Sequence, residues 1–269
     1  MTAVLEVWGI GRHASIETRT IIHQSDRRMV CRCYFPNLGR MVICKRPQGP
    51  VTTPRLLHER RIFERLAGIE GVPALAVDAP TEGVLIFEDD GGVPLHAPHV
   101  GRRIVPAEVA AIGQSLVRIL AEIHRLGVLH KDINPGSILL QGETRRPVLI
   151  DFDLATTFAE ERPSITHHSE ITGTLAYLAP EQTGRMARPI DQRSDLHALG
   201  ITLYELVIGE LPFRGDDPLQ IIRDHLRQCR PFSFRSIRPY RSDCRISSCA
   251  CWRRSRTAAI RAPRARPMI

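Results

Sequence analysis

No apolar run in these 269 residues approaches the ~18 that a membrane span requires. The start, MTAVLEVWGI, has neither a basic n-region nor a long apolar stretch, so no secretory leader is expected. Internal repeats and low-complexity segments are absent before residue 227. Seven cysteines are an odd number, and the chain is long for a disulfide scaffold. Cys31 and Cys33 alternate in a strand-like stretch and are expected as small, reduced, buried apolar residues. These absences leave a soluble cytoplasmic protein of one large domain or two small ones, with a sizeable core and no membrane partner.

The net charge of +8 does not describe the chain evenly. Residues 227–269 hold twelve Arg, no Lys and one acid, Asp243, a balance of +11 that leaves −3 for everything before them. An argument for nucleic acid from overall charge would rest on that tail, and no nucleic-acid partner is expected.

Residues 18–45 read as strands: "TRTIIH" and "MVCRCYF", a turn at Pro36–Gly39, then "RMVICK". Residues 54–67 read as a helix opening at Pro54, with Leu56, Leu57, Ile62, Phe63 and Leu66 on one face. "PALAVDA" and "GVLIFEDD" add two strands, completing a five-strand, one-helix unit that ends near Gly91-Gly92. A long helix follows at 106–127, from Pro106 to Gly127, and a nearly all-apolar, buried one at 194–209. Strands first and helices later predict an α+β fold in two parts.

Between those helices "VLHKDINPGSILL" (128–140) interrupts an apolar run with His-Lys-Asp and a Pro-Gly turn. "VLIDFDLAT" (148–156) repeats the pattern with Asp151 and Asp153. Two carboxylate loops, each following an apolar stretch, suggest a site. Lys45 closes the third strand, Glu59 sits mid-helix, Ala179-Pro180-Glu181 comes 30 residues after Asp151, and Asp195 begins the buried helix. In this order the chain resembles the protein-kinase family across about residues 18–226. The likeness is strongest to the bacterial Ser/Thr-kinase-like modules that open large multi-domain sensor kinases, through "HKDINP", "GTLAYLAPEQTGRM" and "RSDLHALGITLYELVIGELPF".

The resemblance implies a small β-rich lobe at 18–92 after an extension at 1–17, and a helical lobe at 93–226 that is expected to be incomplete. It also implies the cofactors ATP and Mg²⁺ and a protein substrate. Lys45 would hold the α- and β-phosphates and Glu59 would fix Lys45. Asp151 would bind Mg²⁺, with Ser137 at the second metal position. Asp132 would accept or orient the proton of the substrate hydroxyl. Glu88, Asp89 and Asp90 would form the hinge beside adenine, and Val30, Ile43 and Leu139 would sandwich the ring. Partner signalling domains would belong to the same longer chain.

Several residues depart from the family pattern. Gly9-Ile10-Gly11 is read as a decoy. Val30 lies fifteen residues before Lys45, so the phosphate loop is "HQSDRRMV", which has no glycine and puts His23, Ser25 and Arg28 at the glycine positions. Ser137 stands where the family has Asn, Asp153 where it has Gly, Lys131 where it has Arg and Asn134 where it has Lys. Asp153 is read as a solvated loop acid or an additional cation ligand. Ser164, Thr166, Ser169 and Thr172 are phosphosite candidates, Thr174 matches a family threonine, and His167-His168 reads as exposed loop.

The tail at 227–269 has no apolar period and is expected to be disordered or translated out of frame, since permitted codons for 246–263 read one frame over give an amphipathic, family-like ending. Glu181 would then be a partly buried carboxylate without its arginine. The readings that follow are a Ser/Thr protein kinase domain acting in signal transduction, a pseudokinase binding nucleotide or a partner without transfer, or a non-functional fragment.

Overall fold

The computed structural model describes residues 7–10, 14–24, 28–48, 52–76, 83–89, 91–95, 104–161, 175–184, 188–213 and 217–227. Residues 1–225 form one compact unit, and 226–269 cluster separately.

Five antiparallel strands make the first sheet in sequence order: β1 (Val7–Ile10), β2 (Ala14–Gln24), β3 (Arg28–Phe35), β4 (Arg40–Pro47) and β5 (Leu85–Glu88). Side chains alternate along a strand, so each face collects every second residue. Met29, Cys31, Cys33 and Phe35 of β3 join Val42, Cys44, Val84 and Ile86 in one apolar layer. Arg28, Val30 and Arg32 face the other way, beside Ile43 and Lys45, because Val30 pairs with Lys45 and Arg32 with Ile43. The β3–β4 turn is the predicted one, closed by Gly39 in the left-handed region at φ 63°.

Two expectations shift here. Strands begin before residue 18, and the fifth strand of the sheet is Val7–Ile10, from the stretch read as an extension. "PALAVDA" contributes only an isolated bridge, Leu75 to Phe87, among its described residues. The run was apolar enough for a strand, but among its described residues it meets the sheet only around Leu75. Gly9 lies in β1, the edge strand, three strands away from Lys45 in β4.

Helix α1 (Thr52–Arg65) buries Leu56, Glu59, Ile62 and Phe63, while Leu57, expected on that face, is 48% exposed. Helix α2 (Pro106–Arg125) buries Val109, Ile112, Leu116, Ile119, Leu120 and Ile123 at helical spacing. Helix α3 (Gln192–Ile208) is capped by the Asp191 side chain, which accepts from Arg193 N–H, and ends at Gly209 with φ 81°. It is not apolar all round: Leu196 is exposed, and its buried face includes Ser194, Asp195 and Thr202. The α2–α3 contact is close because Gly113 has no side chain; a Cβ there would lie 3.0 Å from Leu203 Cδ1. Short strands β6 (Val93–Pro94), β7 (Val128–Leu129), β8 (Ile138–Gln141), β9 (Arg146–Leu149) and β10 (Thr156–Thr157) frame the two carboxylate loops, with orders β6-β8-β9 and β10-β7. Helix α4 (Pro218–Arg227) follows. No helix among the described residues is long and apolar enough to cross a membrane.

Candidate active site

A cavity of about 660 Å³ opens between the sheet and the helical part. Val30 and Ile43 line it from the sheet and Leu139 from β8, and Phe87, Glu88 and Asp89 border it as well. All three residues expected to sandwich a ring therefore share one cavity. Asp90 lies outside the described residues. Glu88 and Asp89 are tied back to the sheet, Glu88 by Arg40 at 2.8 Å and Asp89 by a two-pronged ion pair with Arg32.

At the inner end of the cavity the Lys45 ammonium donates to Glu59 (2.6 Å), Asp151 (2.9 Å) and Asp153 (2.9 Å). Four residues from β4, α1 and one loop, separated by up to 108 positions in sequence, thus meet at one nitrogen. Burial alone would lower the Lys45 pKa, but the three carboxylates outweigh it and hold the ammonium firmly charged. Burial lifts Glu59 to about 8, helped by the negative charges of Asp153 and Asp151 and opposed by Lys45. Burial pushes Asp153 up too, yet Lys45, the Glu59 hydrogen bond and Arg28 together bring it well below the usual range. Charge balance accounts for the split. Arg28 completes the cluster at 2.5 Å from Asp151 and 3.2 Å from Asp153, so two cations face three acids, and one proton on Glu59 leaves the group neutral.

Asp132 faces the same cavity from the loop after β7. Burial raises its pKa, as does the charge of Asp151, against His130, Asn134 and Arg28. The Asn134 side-chain amide donates to Asp132 Oδ1 (3.0 Å) and fixes its rotamer. This loop is held strongly. Asp195, fully buried on α3, accepts from the backbone N–H of His130 (3.0 Å) and Lys131 (2.8 Å) and from His124 Nε2 (2.8 Å). These bonds keep Lys131 in the left-handed region at φ 69°, rare for a residue with a Cβ. His130 Nδ1 accepts from Asp132 N–H, so its Nε2 carries the hydrogen and donates to the Ile150 carbonyl. The two carboxylate loops are thereby joined directly.

An aromatic column ties α1 to both loops. Ring centroids run Phe87 to Phe63 at 4.7 Å, Phe63 to Phe152 at 5.0 Å and Phe152 to His130 at 4.6 Å. Phe63 is one helical turn from Glu59, so seating its ring also aims that carboxylate. His58 adds a tether, donating to the Ala155 carbonyl at 2.7 Å.

One carboxylate oxygen each from Glu59, Asp151 and Asp153 lies within 4.8 Å of the others, around the Lys45 ammonium; with Glu59 engaged by Lys45, Asp151 and Asp153 are the pair that could hold a hard divalent cation such as Mg²⁺. Asp153 is therefore a member of the charged cluster rather than a solvated loop acid. Ser137 is buried and turned into its own turn, where its hydroxyl donates to the Asn134 carbonyl (2.9 Å) and accepts from Asn134 N–H (3.0 Å). Lys131 donates to Glu161 (2.9 Å), which also accepts from Thr156 Oγ1. Glu181, expected without a partner, accepts from Ser194 Oγ at 2.6 Å. Ser164, Thr166, His167, His168, Ser169, Thr172 and Thr174 lie outside the described residues, as does nearly all of the tail.

The sequence reading missed the roles of Asp195, Arg32, Phe63 and Glu161. One compositional signal was available: the whole chain holds two lysines, Lys45 in the charged cluster and Lys131 in the loop that carries Asp132.

A strand-borne lysine held by a helical glutamate, a loop acid beside it and a second loop acid thus face one cleft of an α+β fold. The chain belongs to the protein kinase family: the family model described as "Protein kinase domain" matches residues 56–253. The serine/threonine-protein kinase PknB of Mycolicibacterium smegmatis is 32% identical over 145 residues, 54% of this chain and 23% of that protein. PknB of Mycobacterium tuberculosis is 31% identical over 145 residues, 54% and 23%, and PknB of Mycobacterium leprae 32% over 139 residues, 52% and 22%. The matched stretch spans less than a quarter of the length of each of these relatives.

Proposed function

We propose that this chain transfers the γ-phosphoryl group of ATP to serine or threonine hydroxyls of a protein substrate, using Mg²⁺, as a signalling module of a longer chain. The observation that carries this reading is the convergence of Lys45, Asp132 and Asp151 on one cavity that Val30, Ile43 and Leu139 also line. ATP supplies the transferable group, and Mg²⁺ supplies positive charge across the phosphate oxygens. Val30, Ile43 and Leu139 would exclude water from the base. Lys45, positioned by Glu59, would bind α- and β-phosphate oxygens. Asp151 and Asp153 would hold the metal, with Ser137 a lesser donor because its neutral hydroxyl oxygen already accepts from Asn134 N–H. Asp132 would take the substrate hydroxyl proton as that oxygen bonds to the γ-phosphorus and the bridge to the β-phosphate breaks, releasing ADP. Its raised pKa makes it a better proton acceptor than an ordinary aspartate. The names of the relatives as serine/threonine kinases favour transfer over binding alone.

Transfer of labelled phosphate from ATP to a generic serine-containing protein, measured for wild type and Asp132→Asn, tests this. Transfer by wild type that falls ~100-fold or more in the variant is the expected result. No transfer by wild type, or equal transfer by both, refutes it.

A further inference from the structure

We propose that Arg28 is a phosphate-binding residue, released from Asp151 and Asp153 when the metal occupies those acids and then passed to the triphosphate. The proposal rests on the ATP-dependent reading above and deepens it.

The argument starts from donors. A lysine ammonium has three N–H groups, and all three of Lys45 are directed at carboxylates: Glu59, Asp151 and Asp153. The Asn134 amide donates to Asp132, and the Ser137 hydroxyl to a carbonyl of its own turn. Arg32 holds Asp89 at the outer end of the cavity. The sequence leading into β3, Ser25-Asp26-Arg27, has no glycine, the residue that lets backbone N–H groups come closest to a phosphate. A metal on Asp151 and Asp153 would leave Lys45 only Glu59 and turn its other donors to phosphate, but one ammonium cannot span a triphosphate; the second cation on those same acids is Arg28, which also lines the cavity.

Its chemistry fits. The guanidinium is a planar fork that matches phosphate oxygens bidentately and stays charged at any working pH. Strand alternation places it on the cleft face of β3 together with Val30, and its side chain is 29% exposed, against 9% for Lys45. Most telling are its present partners, the two carboxylates in the donor set that suits a divalent cation. Metal and guanidinium compete for the same oxygens. Once a metal takes them, the guanidinium loses its anions, and phosphate oxygens at the same end of the cavity replace them. No covalent step is involved; one set of ion pairs is exchanged for another.

Competition at the acids and cooperation at the phosphates give opposite signs, which a merely structural residue would not. The test uses the full chain and its Arg28→Ala and Arg28→Lys variants in three binding measurements: ATP with excess Mg²⁺ by calorimetry, adenosine by the same method, and Mn²⁺ to the nucleotide-free protein by electron paramagnetic resonance. Arg28→Ala is expected to weaken MgATP about tenfold or more, to leave adenosine unchanged and to bind Mn²⁺ more tightly, with Arg28→Lys between. Unchanged MgATP affinity in Arg28→Ala overturns the proposal. So does a common weakening of all three probes, which would mark a folding role. Wild type that binds adenosine no less tightly than MgATP overturns the Arg28 assignment alone, and wild type that binds neither overturns the ATP reading with it.

Discussion

Replacing Asp195 with alanine is expected to destabilise the protein more than any change at a residue that would touch ATP. The carboxylate is 0% exposed and accepts three hydrogen bonds, two from consecutive backbone N–H groups and one from His124. Alanine leaves the two backbone donors inside the fold with no acceptor. Each such orphan costs about 1–3 kcal/mol, so the loss should be ~3–5 kcal/mol, a large part of the ~5–15 kcal/mol that holds a domain folded. Lys131 would also lose the bonds that hold it at φ 69°, a conformation costing ~1–2 kcal/mol for a residue with a Cβ. Asparagine keeps one acceptor oxygen and should lose about half as much. Urea unfolding of wild type, Asp195→Asn and Asp195→Ala at one pH measures this. The alanine midpoint should fall by about 1 M or more at unchanged slope, with asparagine between. A midpoint for Asp195→Ala within about 0.3 M of wild type would refute the claim that this buried carboxylate organises the loop.

Other expected outcomes test the charge cluster and the packing. Glu59 holds its proton to about 8 in the nucleotide-free fold, against 4.5 ordinarily. The folded state therefore binds more protons than the unfolded state between those values, and the Glu59 contribution to stability declines as pH rises through that window. Glu59→Gln should flatten this slope in a pH series of thermal melts, and an unchanged slope would refute the assignment. Gly71→Ala combines a left-handed φ of 88° with a Cβ placed 2.3 Å from Ile119 Cδ1. It should cost ~2–4 kcal/mol in urea unfolding, and a loss under 0.5 kcal/mol would contradict the packing described. Glu161→Gln removes the charge that pairs with Lys131 and helps hold the loop that carries Asp132. It should lower kcat several-fold with little change in KM for ATP, read from steady-state phosphate transfer, whereas a change confined to KM would place Glu161 in nucleotide binding instead.

How much of this was legible beforehand depends on the range of the interaction that decides it. The α1 and α2 helices, the alternation that buries Cys31 and Cys33, and the order of Lys45, Glu59, Asp132 and Asp151 could be read directly, because periodicity and local turn chemistry set them within a few residues. Fifth-strand membership could not: "PALAVDA" and the segment at Val7–Ile10 were both able to form strands, but Val7–Ile10 pairs along β2 while Leu75 meets β5 only at an isolated bridge to Phe87. Asp153 reads as a loop acid until its neighbours are known. Its character comes from Lys45 and Arg28, 108 and 125 residues away in the chain. Glu181 looked unpaired for the same reason, since Ser194 lies thirteen positions off on another element.

The sequence alone determined which residue types were available for chemistry, in what order, and on which strand face or helix turn each would stand, since backbone periodicity needs no knowledge of distant contacts. Only the tertiary structure decided the charge states and partners: one ammonium surrounded by three acids, a guanidinium shared between two of them, and a buried aspartate holding a strained loop. Coulomb and desolvation energies depend on distance and burial, and both are set when segments a hundred residues apart pack together.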